Sequence, residues 1–364
     1  MNKKPEFHGS DLEKIEEYYQ IPKEEIISFG ANVNPLGLSE AVKKELAANL
    51  DIISSYPDRN YTSLKRAIGN YAGINPEHIV VGNGSTELIS LLISQRRPKE
   101  ALLLGPTYSE YARELSLCGG AMTYYNLREE QNFRLDISDF LSSLTDATEL
   151  VIICNPNNPT SSALTCHELE EIIFECEKRN IFVMIDETYV EFSPCIADIT
   201  AVPLVSEYDN FMVIRGVSKF YAAPGLRFGY GITSNKAFLT SLLAHQNPWS
   251  LNSVGAYAGE LMLNDQEYFH RTRTLICSER DRMMYELSKL SGLKAYEAYG
   301  NFILVKILKD GLTSFDVFEA AIREKMMIRD CASFESLEGE FIRFCIMSPE
   351  DNSRLLEVLK SCLA

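Results

Sequence analysis

A chain of 364 residues, 46% hydrophobic and 24% charged, can bury a sizeable core and suggests two domains or one large domain with an appendage. Its formal net charge of −16 opposes binding to nucleic acid or to an anionic membrane surface, so any anion must be taken up in a local basic pocket. No apolar run approaches the ~20 residues that cross a bilayer, and MNKKPEFHGSD lacks a signal-peptide core, so the expected compartment is the cytoplasm.

In chain order, the first ~45 residues are turn-rich and strand-poor and are expected to join a small domain formed by the C-terminus. IVVG (79–82) leads into a helix from about Thr86, and ALLLG (101–105) into one from about Tyr108. LVIIC (150–154) precedes a loop and the helical pattern CHELEEIIFECEKRN, and IFVMID (181–186), FMVIR (211–215) and LRFGYGI (226–232) complete the series. Runs apolar on both faces, alternating with helices, predict an α/β fold with a mostly parallel sheet covered on two sides. A long helical tract follows from about Asn252 to Leu290. NFILVKI (301–307), a helix near 313–325, FIRFCIM (341–347) and a final helix near 350–362 then read as a small α+β domain. The expected division is an N-terminal segment 1–45, a large domain 46–280 and a small domain 281–364. The nine cysteines are odd in number with no CxxC pair, several of them inside apolar strands, and read as buried reduced thiols; the five scattered histidines give no zinc spacing.

Four segments fall where an apolar run gives way to a loop or helix, which is where open α/β sheets bind ligands. They are GNGSTE (82–87), NPNNPT (155–160), VMIDETY (183–189) and RGVSKFYAAPGLRFGYG (215–231). Lys219 taken alone is a solvated loop lysine; in this company it is an amine able to form a Schiff base. Asp186 closes a buried strand, where a carboxylate needs either a cationic partner or a local capping role. Asn158 stands between prolines that present its amide rigidly. Gly84, Ser85 and Thr86 open a helix whose free amides can receive a phosphate, although a Ser85 cap explains the same residues. Ser218 and Arg227 would complete that cup; Tyr108 and Tyr189 are either ring contacts or aromatic core. An amine, an acid, an amide and an anion cradle together meet the needs of pyridoxal phosphate.

On these motifs the chain resembles the fold-type I pyridoxal-phosphate enzymes of the class I/II aminotransferase superfamily over nearly its whole length. HGSDLE (8–13), FGANVNPLG (29–37), YPDRNY (56–61), NPWSLNSVGAYAGE (247–260) and MMIRDCASF (326–334) resemble the threonine-phosphate decarboxylases of cobalamin biosynthesis, and histidinol-phosphate aminotransferases come next. The resemblance implies that Lys219 binds the cofactor covalently, Asp186 pairs with the pyridine nitrogen, and Asn158 and Tyr189 hold the 3′-oxygen. It implies Ser85, Ser218 and Arg227 at the cofactor phosphate, with Tyr56 reaching in from the second subunit of a homodimer. Arg343 and Asn32 would take a substrate carboxylate, and Arg329 and His8 a substrate phosphate. Two positions depart from the pattern: Gly216 stands where a phosphate-binding serine is common, and Ser161 where glycine is usual. The implied reaction is decarboxylation of O-phospho-L-threonine, with transamination of histidinol phosphate by 2-oxoglutarate as the alternative. A regulatory cofactor-binding module on the same fold is the rival class, disfavoured by the lack of a basic region.

Overall fold

The computed structural model describes Pro5 and residues 7–364. Seven strands make the large sheet: β1 (Ile79–Asn83), β2 (Glu100–Gly105), β3 (Ala121–Asn126), β4 (Thr148–Cys154), β5 (Phe182–Asp186), β6 (Phe211–Gly216) and β7 (Phe228–Ile232). Their order is β1-β7-β6-β5-β4-β2-β3; β7 runs antiparallel to both neighbours and every other pairing is parallel. Strands β5, β6 and β7 are buried at every residue, which explains their continuous apolar runs. Alternate side chains feed two cores, Val151, Ile153, Val183 and Ile185 on one face and Ile152, Met184 and Ile214 on the other. Edge strand β3 was not expected: AMTYYN is mostly exposed and carries no apolar run.

Helices begin where the local chemistry allows. Gly84–Arg96 follows β1 directly, starting two residues earlier than the expected Thr86. Cys166–Lys178 opens on a reciprocal capping box between Thr165 and Glu168, as Ser314–Arg323 does between Thr313 and Asp316. The tract expected as one helix near 252–290 is two, Ser253–Asn264 and Gln266–Ser288. Asp265 divides them, its carboxylate accepting from the Tyr268 N–H at 2.9 Å; without Gly or Pro this break leaves only a weak trace in sequence.

The second sheet comprises β8 (Leu293–Ala295), β9 (Phe302–Ile307), β10 (Arg329–Asp330) and β11 (Phe341–Cys345), antiparallel in the order β10-β11-β9-β8. The N-terminal segment lies against it: Ile27 bridges to Met326, and the Cys345 N–H donates to the Phe29 carbonyl at 2.8 Å. All nine cysteines are free; Cys154, Cys176, Cys331 and Cys345 are buried, whereas Cys195 is exposed, contrary to the expectation of general burial. No helix among the described residues is long and apolar enough to cross a membrane.

The turn after β5 buries two further acids, Glu187 and Glu191, and the second of these lacks a direct ion pair among the described residues. Burial pushes its carboxyl up to about 7, with nearby Arg215 pulling the other way, and Tyr71 donates to it at 3.4 Å. An acid whose folded pKa lies above its ordinary 4.5 holds its proton longer in the folded state, so stability falls as pH rises from about 4.5 through 7. Glu191→Gln is therefore expected to melt higher than the parent at pH 8, by up to about 3 kcal/mol, and close to it at pH 5. Thermal melts of both proteins at the two pH values check this; an equal difference at both would contradict it.

Candidate active site

Asp186 is the last residue of β5 and is buried. Its carboxylate accepts from the Tyr111 hydroxyl at 2.7 Å and from the Thr188 N–H and hydroxyl at 2.9 and 2.5 Å. These donors are neutral, and burial still raises its pKa. The capping role and the ligand role foreseen for this acid thus coexist: Oδ1 closes a local turn, and the residue lines a cavity.

Beyond β6, Lys219 sits part-buried with its Nζ donating to the Ala31 carbonyl at 2.6 Å. Burial and the repulsion of Arg343 lower its pKa to about 8, so much of the amine is neutral in mildly alkaline solution. Beyond β1, the helix starting at Gly84 has Asn83 at its cap without a side-chain cap bond, so Ser85 does not close its end and the first-turn amides stay open to an anion. Gly84 has φ +82, and a Cβ there would collide with the Arg227 guanidinium; Gly229 admits the backbone of Gly84 and Ser85 in the same way. At Gly216 a Cβ would make ordinary contact, 3.5 Å from Ser85 Oγ, so the missing serine is not enforced by space.

The β4 loop supplies Asn158, whose Oδ1 accepts from Arg343 on β11. Ser161 adopts φ +60 and accepts the Gly300 N–H at 2.9 Å, so this departure ties the loop to the segment before β9. Arg343 also donates to the Gly30 carbonyl at 2.7 Å, and its buried Nε has no partner among the described residues. Asn32, buried at φ +56, donates to the Tyr189 hydroxyl at 3.3 Å and leaves its Oδ1 unpaired. Arg329 lies directly across the strands from Arg343 and donates to the Phe7 carbonyl and, at 2.6 Å, to Ser333 Oγ. Both arginines are thus held by neutral oxygens.

All these ends converge on one cavity of about 310 Å³. Lys219, Asp186, Asn158, Tyr189, Tyr108, Ser85, Thr86, Ser218, Arg227, Arg343, Arg329, Asn32 and His8 line it. Gly84 stands just behind, against Arg227. Tyr56 is not brought in: it is 81% exposed and rests on Trp249 with ring centroids 4.9 Å apart. Sequence reasoning missed Tyr111, although it lies three residues after Tyr108, the cap of the helix Ser109–Leu117, and their rings meet edge-on at 5.5 Å. It also missed Thr107, Tyr124 and Glu335, and did not single out Thr188 within VMIDETY or Ser333 and Phe334 within MMIRDCASF.

The buried carboxylate, the part-buried amine and the open helix end fit a phosphorylated, cationic ring such as pyridoxal phosphate, and the unpaired Arg343 Nε and Asn32 Oδ1 leave polar atoms free for a second ligand. Residues 24–359 match the model of the family described as aminotransferase class I and II. A protein of Caldanaerobacter subterraneus, provisionally named a threonine-phosphate decarboxylase, is 37% identical over 91% of this chain and 88% of its own. The threonine-phosphate decarboxylase of Salmonella typhimurium is 31% identical over 98% of this chain and 96% of its own. The crystal structure of the histidinol-phosphate aminotransferase from Clostridium acetobutylicum superposes with a TM-score of 0.86 at 30% identity, covering 92% of this chain and 98% of that one. With a shared fold, a matching family model and a cavity chemically suited to the ring, the chain belongs to the class I and II aminotransferase family of enzymes, and its cofactor is pyridoxal 5′-phosphate.

Proposed function

We propose that this protein removes the carboxyl group of O-phospho-L-threonine to give an aminopropanol phosphate. The observation that carries the reading is the pair Arg329 and Arg343, which face one another across β10 and β11 and line the cavity that holds Lys219. Two arginines held by neutral oxygens call for two anions, and phosphothreonine offers a carboxylate and a phosphate. Histidinol phosphate has no carboxylate and leaves one of them without an anionic partner in its own half-reaction, where only 2-oxoglutarate in the other half would supply one. The 37% identical relative carries the same decarboxylase name.

In this reading Lys219 anchors the cofactor, Asn158 and Tyr189 hold its ring oxygen, and Tyr108 covers a ring face. The first-turn amides from Gly84 to Thr86, with Ser218 and Arg227, take its phosphate. Pyridoxal phosphate supplies an electron sink for the bond broken at the α-carbon. Asp186 holds a proton at the ring nitrogen. Arg343 and Asn32 fix the substrate carboxylate, and Arg329 and His8 its phosphate, which sets the bond that stands across the ring plane. Lys219 would deliver a proton to the α-carbon after carbon dioxide leaves. Tyr56, exposed on this chain, completes the neighbouring site of a homodimer.

Asp186→Asn is expected to retain cofactor and lose on the order of 10²-fold in turnover. Near-normal turnover would make the carboxylate structural. Purified protein given phosphothreonine is expected to release carbon dioxide without a keto acid. Arg343→Ala weakens that use by ~1.5–3 kcal/mol or more and affects histidinol phosphate less. Efficient turnover of histidinol phosphate with 2-oxoglutarate, and no carbon dioxide from phosphothreonine, would overturn the assignment in favour of transamination.

A further inference from the structure

Glu187, the residue after Asp186, is completely buried and does not line the cavity. Its carboxylate accepts from Arg215 Nε and Nη2 at 2.9 and 2.7 Å, from the Ala201 N–H at 2.6 Å and from Thr200 Oγ1 at 2.9 Å. Arg215, also buried, donates its Nη2 to Thr200 Oγ1 at 2.8 Å. The backbone around the pair is tied in the same place. The Glu187 N–H donates to the Ile214 carbonyl at 2.8 Å, and the Asp186 carbonyl accepts the Asn155 N–H at 2.8 Å. Three strand ends, those of β4, β5 and β6, are thereby locked at the level of Asp186.

Taking both charges out of water is costly, and an apolar pair of similar volume is often as stable or more so. Stability alone therefore gives no reason for an ion pair here. Two guanidinium nitrogens converging on Glu187 Oε2, with the Ala201 N–H on Oε1, do fix distance and direction, which packing of flexible apolar chains does not. We propose that Glu187 and Arg215 are positioning residues that set the height of Asp186 against the cofactor ring nitrogen, an inference that rests on the assignment of Asp186 above. They act through the backbone at the end of β5, while Tyr111 and Thr188 orient the carboxylate itself.

The test uses the full chain loaded with pyridoxal phosphate carrying ¹⁵N in its ring, whose chemical shift reports protonation of that nitrogen. Glu187→Leu combined with Arg215→Met removes both charges of the pair, and at pH 6, below the value of about 7 at which Glu191 titrates beside Arg215, Glu191 stays largely protonated without that cation. The variant is expected to melt near the parent temperature, to show a nitrogen signal moved toward the unprotonated position, and to lose roughly 10- to 100-fold in kcat with little change in KM. A folded variant with unmoved nitrogen signal and kcat overturns the inference. If the double variant does not fold, Arg215→Lys keeps the charge and loses the planar fork; a moved signal supports the inference and an unmoved one overturns it. An unprotonated ring nitrogen in the parent overturns the Asp186 assignment and this inference with it, whereas a protonated parent beside an unmoved variant overturns the inference alone.

Discussion

A carboxylate buried at the end of a central strand is the constraint on which the rest depends. Asp186 has only hydroxyls and one N–H for company, and burial raises its pKa, so its charged form gains most from a cation brought in from outside. That cost is acceptable at a place where several strand ends meet, because each contributes a different group without leaving regular structure. β5 brings the acid, the β6 loop the amine, the β4 loop the amide and the helix after β1 its open amides. A parallel sheet makes this possible by aiming those ends the same way.

The small sheet closes the cavity from the other side. Like charges directly opposite on neighbouring strands disfavour pairing, yet Arg329 and Arg343 occupy such positions. Neutral carbonyl, amide and hydroxyl oxygens hold them, drawn from the N-terminal segment, the β4 loop and Ser333. A locally cationic cavity thus persists in a chain of net charge −16, favouring small anions over large polyanionic surfaces.

Much of this was legible in the sequence because buried parallel strands are written as unbroken apolar runs, and because the residues that follow them are the ligand positions. Lys219, Asp186, Asn158 and Arg227 could be placed in one site on that ground. Edge strand β3 was not legible, since an exposed strand carries no apolar run. The break at Asp265 lacked Gly or Pro, and the meeting of Arg329 with Arg343 depends on antiparallel register between distant segments. Tyr111 left a trace, an i+3 spacing from Tyr108, that reads equally as core. Tyr56 was singled out by resemblance alone; a single chain leaves it on the surface beside Trp249.

The central claim is that these strand ends build one cofactor cage around Lys219. Its most direct test is borohydride reduction of the pyridoxal-phosphate-loaded protein followed by digestion and peptide mapping. One modified lysine, in the peptide containing Val217–Phe220, is the predicted result. A label on any other lysine, or a bound cofactor that borohydride does not attach at all, would contradict it.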